Sequence, residues 1–150
     1  MTTRVTKPQD LHDLVGTPMG ESNWYELTQH QVNQFADATR DHQWIHVNPE
    51  QAKKGPFGGP IAHGYLTLSL AQQFLADTVQ IDELSARLNY GLNKVRFTSP
   101  VPVGSLIRGV VRLISTTQRA AGVEAAFEVT VELMGSERPA LVAETLVLYT

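Results

Sequence analysis

The stretch IAHGYLTLSLAQQFLADTV, Ile61 to Val79, decides the fold of this chain. Leu66, Leu68, Leu70, Ala71, Phe74 and Leu75 fall on nearly every face of the helix it predicts, and a helix apolar almost all round belongs in an interior. The uncharged run that overlaps it, Gly55 to Ala76, also carries Pro, Gly and His. Its helical part is too short to span a bilayer, so no membrane is expected as a partner. A buried helix needs a wrapping, and the sequence after it supplies strands. Val123, Ala125, Phe127, Val129, Val131 and Leu133 alternate with Glu124, Ala126, Glu128, Thr130 and Glu132. That period of two puts one face on a core and the other in water. Leu106 to Ile114 sets Arg108 and Arg112 opposite Ile107, Val111 and Leu113. Ala140 to Tyr149 is apolar on both faces and reads as a central strand. Leu88 to Phe97 is a fourth strand, interrupted at Gly91 by an expected bulge and ended by Pro100 and Pro102.

The first half reads as helix. Residues 8–15 suggest a short helix and Trp24–Leu27 a brief strand. Thr28 and Gln31 form a capping-box pattern, followed by Val32, Phe35, Ala36 and Thr39 at helical spacing, with an end near Arg40. Asn48-Pro49 is an N-cap followed by Pro at the first helical position, opening a short helix to about Lys54. Helices followed by strands indicate an α+β domain with an antiparallel sheet. One long central helix wrapped by such a sheet is the hot-dog arrangement, a single domain over residues 1–150. One helix covers one sheet face and leaves an edge unpaired, so a homodimer joined edge to edge is expected.

The totals exclude several functions. The chain has 150 residues, 42% hydrophobic and 18% charged, an ordinary globular profile. A net charge of −3 makes nucleic acid an unsuitable partner. There is no Cys, hence neither disulfide nor thiol chemistry, which fits a cytoplasmic protein. The N-terminus shows no apolar core of a signal peptide.

The segment between the helix that ends near Arg40 and the one that opens at Asn48-Pro49, TRDHQWIHVNP from Thr39 to Pro49, is rich in side chains that move protons. Asp41 and His46 are close enough in sequence to converge on one small ligand. A carboxylate and an imidazole together can hold a water and transfer protons near neutral pH. The plainer alternative is a turn-capping Asp and a satisfied buried His. His42, with His46, Asp41 and His63, offers the makings of a metal site, but the spacing matches no familiar ligand pattern, and no metal or other cofactor is expected. Gly64 would lie in the first turn of the central helix, where backbone N–H groups lack intrahelical partners. A glycine there lets a ligand reach the backbone, a fitting oxyanion site for a thioester carbonyl; close packing, with His63 as a helix cap, is the alternative. Among the scattered basic residues, Lys94, Arg96, Arg108 and Arg112 could meet phosphates.

Asp41-His42-Gln43-Trp44-Ile45-His46, followed by Gly59-Pro60-Ile61-Ala62-His63-Gly64, resembles the MaoC-like dehydratases, the (R)-specific enoyl-CoA hydratases of the hot-dog superfamily. Asn89 to Phe97, with Pro100-Val101-Pro102-Val103-Gly104, is similar to the strand and turn of the same family, and the wording is similar to its single-domain NodN-like members. The resemblance implies reversible syn addition of water to a trans-2-enoyl thioester, carried by CoA or acyl carrier protein, giving the (R)-3-hydroxyacyl thioester without metal or redox cofactor. It implies Asp41 and His46 as the catalytic dyad, Gly64 N–H as the oxyanion donor, and Trp44, His63 and Arg96 as substrate contacts. Thioester hydrolysis on the same fold, or binding of an acyl thioester without catalysis, are the alternatives. Two departures stand out. Arg40 occupies the position before the Asp where the family often has Gly, which leaves the turn's backbone open. Gln43-Trp44 replaces the usual Asn-Pro, which leaves chain-length preference open.

Overall fold

The computed structural model describes residues 1–150. Its main sheet has six strands in the order β2-β6-β7-β8-β5, with β3 also paired to β6. These are β2 (Pro18–Glu21), β3 (Tyr25–Glu26), β5 (Arg87–Phe97), β6 (Leu106–Gln118), β7 (Val123–Leu133) and β8 (Leu141–Tyr149). All the pairings in this sheet are antiparallel. β7 follows its sequence alternation: Val123, Ala125, Phe127, Val129 and Val131 are buried. β8, apolar on both faces, lies inside the sheet between β7 and β5. The expected irregularity of β5 is present as register shifts on either side of Gly91 and Leu92. A second, two-stranded sheet pairs β1 (Thr3–Val5) in parallel with β4 (Val79–Ile81) and ties the N-terminus to the end of the central helix.

The helices follow their caps. A 3-10 helix spans Pro8–Leu14. α1 (Gln29–Thr39) begins in a closed capping box, with the Gln31 N–H donating to Thr28 Oγ1 and the Thr28 N–H donating to Gln31 Oε1. α2 (Trp44–Val47) and α3 (Pro49–Lys53) are joined at Asn48, whose side chain accepts from the Gln51 N–H. The central helix has two parts, α4 (Gly64–Ser69) and α5 (Ala71–Thr78), meeting at Leu70 with helical backbone angles. No helix is long and apolar enough to cross a membrane.

The central helix differs from its reading in one respect. Leu66, Thr67, Ala71, Phe74, Leu75 and Thr78 are buried, but Leu68 and Leu70 are only partly so and Tyr65 is exposed. The cause is the position of β5. It is the edge strand, paired only with β8, and its Leu88, Tyr90, Leu92 and Phe97 are about half exposed. The helix is therefore wrapped on one side within a single chain. On the covered side Phe74 lies directly over Gly109 of β6, leaving no room there for a Cβ, so a glycine is what lets helix and sheet approach.

Candidate active site

The site is assembled where a short helix and two loops are pinned together by backbone hydrogen bonds. The Ile61 N–H donates to the Ile45 carbonyl (2.9 Å), and the Ala62 N–H donates to the Val101 carbonyl (2.8 Å). Gln29 of α1 holds the His46 carbonyl through its amide at 2.8 Å. These bonds bring α2, the loop before α4 and the turn after β5 to one place.

Arg40 sets the direction of the chain into the site. It ends α1 with φ 65° and ψ 21°, the one non-glycine residue with positive φ. The departure from Gly noted in the sequence thus changes the residue and keeps a left-handed, Gly-type turn.

Asp41, His46 and His63 meet: one carboxylate oxygen and one nitrogen from each ring lie within 4.8 Å of one another. His46 is 7% exposed. Its Nδ1 lies 2.6 Å from the Ile61 carbonyl, which can only accept, so Nδ1 carries the proton and Nε2 is left with a lone pair. Burial holds the His46 pKa below the ordinary histidine value, reinforced by the neighbouring His63 and opposed by the Ile61 hydrogen bond and Asp41. The imidazole is therefore neutral at neutral pH and available as a base. Asp41 has a half-exposed side chain, 51%, open to solvent.

Beside His46 is a cavity of about 410 Å³, lined mainly by apolar side chains including Phe57, Tyr65, Phe97 and Val101. Gly64 also lines it. Gly64 opens α4, so its N–H has no intrahelical partner. A Cβ on Gly64 would come within 3.0 Å of the Phe97 ring. Phe97 and Tyr65 pack edge to face at 5.9 Å across the same wall.

Three residues fall elsewhere than the sequence suggested. Trp44 packs its ring over Gly55, outside the lining of this cavity. Arg96 is exposed and donates to the adjacent Val95 carbonyl. His63 is 2% exposed and touches Asp41 and His46 instead of lining the cavity. Phe97, Tyr65 and Phe57 are the aromatic lining residues that sequence reasoning did not single out as site residues. Their only signal is a large aromatic at a strand end, at a helix start and in a Gly-Pro loop.

The same three groups are what a cation would use. The geometry is poor for that purpose. The His46 and His63 rings stack with centroids 3.9 Å apart and 25° between planes, so their in-plane lone pairs run side by side and do not converge on a point as tetrahedral ligands must. His42 lies apart, bonded to Asp37 at 2.8 Å.

A family model described as "MaoC like domain" matches residues 10–134. The chain is 48% identical over 141 residues to the 3-hydroxyacyl-thioester dehydratase Z of Mycobacterium tuberculosis, covering 93% of each chain. It is 44% identical over 142 residues to nodulation protein N of Rhizobium leguminosarum, covering 93% of this chain and 88% of the other. Among solved structures, the (R)-hydratase from A. caviae involved in PHA biosynthesis aligns with a TM-score of 0.73 over 91% of this chain and 96% of the other. At 24% identity that likeness concerns the fold.

Proposed function

The chain belongs to the MaoC-like domain family, and from that premise we propose that it is a hydro-lyase interconverting trans-2-enoyl and (R)-3-hydroxyacyl thioesters of CoA or acyl carrier protein. The observation that carries this reading is the meeting of the Asp41 carboxylate with the ring of a neutral, buried His46 beside a largely apolar cavity. The dehydratase name of the mycobacterial relative supports it.

In the hydration direction one water is held between Asp41 and His46 Nε2. As its oxygen bonds to Cβ, its proton passes to Nε2, and the π electrons of Cα=Cβ shift through Cα to the thioester oxygen. The Gly64 N–H, fixed at the helix start, donates to that oxygen as charge develops there. The proton on the dyad then goes to Cα, leaving the enzyme as it began. Asp41 accepts the second hydrogen of the water and orients it. Both additions come from one pair of groups on one face of the alkene, which is the syn outcome.

We further propose that the working unit is a cytoplasmic homodimer. The free edge of β5 offers unpaired backbone groups, and Leu88, Tyr90 and Leu92 stand half exposed along it. Beside it an open cavity of about 290 Å³ lies between Leu68 of α4 and Tyr90 and Leu92. A second copy pairing on this edge covers both.

The reaction is tested by mixing the protein with crotonyl-CoA and following the conjugated enoyl absorbance together with free thiol. Loss of absorbance without thiol release supports hydration. Stoichiometric thiol release makes the protein a thioesterase, and binding without either change makes it a binding module.

A further inference from the structure

His63 is among the most deeply buried polar residues of the molecule, at 2% exposure. Its Nε2 lies 3.0 Å from the backbone carbonyl of Asp41. A carbonyl only accepts, so Nε2 is the protonated nitrogen. Nδ1 is then a buried acceptor, and it has no hydrogen-bond partner. The ring is sandwiched, stacked on His46 at 3.9 Å and tilted against Phe35 at 4.9 Å. Its own carbonyl accepts from the Leu66 and Thr67 N–H groups, which starts the helix whose first residue is Gly64. One residue therefore touches Asp41, stacks on His46 and precedes Gly64.

A buried polar group with an unmet acceptor is unfavourable for folding. An aromatic hydrocarbon would fill the space between Phe35 and His46 without that penalty. What only the imidazole supplies is the Nε2–H toward Asp41. That bond fixes the peptide following Asp41, directly after the left-handed turn at Arg40, and so fixes the point from which the carboxylate projects. The stack limits rotation of the His46 ring, whose other constraint is the Nδ1–H bond to Ile61.

We propose that His63 is the positioning residue of the site: its Nε2–H and its stacked ring hold the Asp41 carboxylate and the His46 base nitrogen in register, and it does not contact substrate. The proposal rests on the hydro-lyase reading above. Outer partners that orient metal ligands change activity by about 10–100-fold when removed, and a partner that orients an acid–base pair is expected to act on the same scale.

The test uses two substitutions in the full-length protein, alone and combined with Asp41→Asn. His63→Phe keeps the ring and loses the donor; His63→Gln keeps a donor and loses the ring. With crotonyl-CoA, His63→Phe is expected to lower kcat about 10–100-fold with KM within about threefold, while the melting temperature holds or rises. His63→Gln is expected to recover part of that kcat. In the Asp41→Asn background His63→Phe should change kcat by less than about threefold, because groups acting as a unit are not additive. Unchanged kcat in His63→Phe, or an undiminished effect in the Asp41→Asn background, overturns the proposal. So does loss of kcat that tracks loss of melting temperature, since a structural role predicts that pairing. The wild type decides independently of turnover. Long-range 1H–15N spectra should show His63 protonated at Nε2 and bare at Nδ1, and the opposite tautomer overturns the assignment. A wild type without hydratase activity counts against the hydro-lyase reading, and the spectra then still decide on the His63–Asp41 bond.

Discussion

Replacing Arg40 by glycine should stabilise the protein, although the residue sits next to a candidate catalytic carboxylate. Arg40 has φ 65°, a region that costs a residue with a Cβ about 1–2 kcal/mol. Its side chain is exposed, and the arginines engaged in ion pairs are Arg4, Arg108 and Arg119, so truncation removes no such contact. Glycine relieves the strain but gives the unfolded chain extra freedom worth about 0.4–1 kcal/mol. At the middle of the two ranges the difference is a net gain of about 0.8 kcal/mol. For a domain of this size that is a rise of roughly 1–4 °C in Tm. The assay is thermal unfolding at fixed protein concentration, since the proposed dimer would make Tm concentration-dependent. Arg40→Ala is the control: it removes the guanidinium and keeps the strained angle, so it should give no gain. A glycine variant that melts at or below the wild type, or an alanine variant that gains as much, would refute the argument from backbone strain.

Asp41→Asn and His46→Gln should each lower kcat by about 10²–10⁴-fold with the fold retained, and the double variant should be little worse than either single one; steady-state kinetics on an enoyl thioester check this. The acid limb of kcat/KM should lie below the ordinary histidine value of 6.5, because burial lowers the pKa of His46; a limb at or above it contradicts the assignment. The same shift makes the unfolded chain bind more protons than the folded one below that value. The stabilising contribution of neutral His46 is thus present above pH 6.5 and lost as pH falls through the lowered pKa, and His46→Gln should flatten that part of a pH–stability curve. Leu92→Asp should weaken self-association by placing a charge on the β5 edge, with sedimentation velocity as the readout; a wild type that remains monomeric at micromolar concentration would remove the dimer.

The alternating residues of β7 and the capping box at Thr28 were legible because each depends on neighbours in sequence. β2 was not, since Pro18 and Gly20 imitate a turn and four residues carry no period. β1 and β4 are three residues each, held by pairing between segments far apart in sequence. In the site, Asp41, His46 and Gly64 could be singled out by residue type. The left-handed angle at Arg40 could not, because nothing in an arginine announces positive φ. Nor could the Ile61 carbonyl that fixes the His46 tautomer, since every residue has a carbonyl. Trp44 and Arg96 show a related gap: an aromatic and a cation near a site suit a ligand in composition, and composition does not reveal the packing against Gly55 or the hydrogen bond to the Val95 carbonyl.

The most direct test is the chirality of the product formed from crotonyl-CoA and a longer trans-2-enoyl-CoA, with wild type and Asp41→Asn run side by side. The account predicts the (R)-3-hydroxyacyl thioester from the wild type and almost none from the variant. The (S)-alcohol, or equal rates from the two proteins, would contradict it.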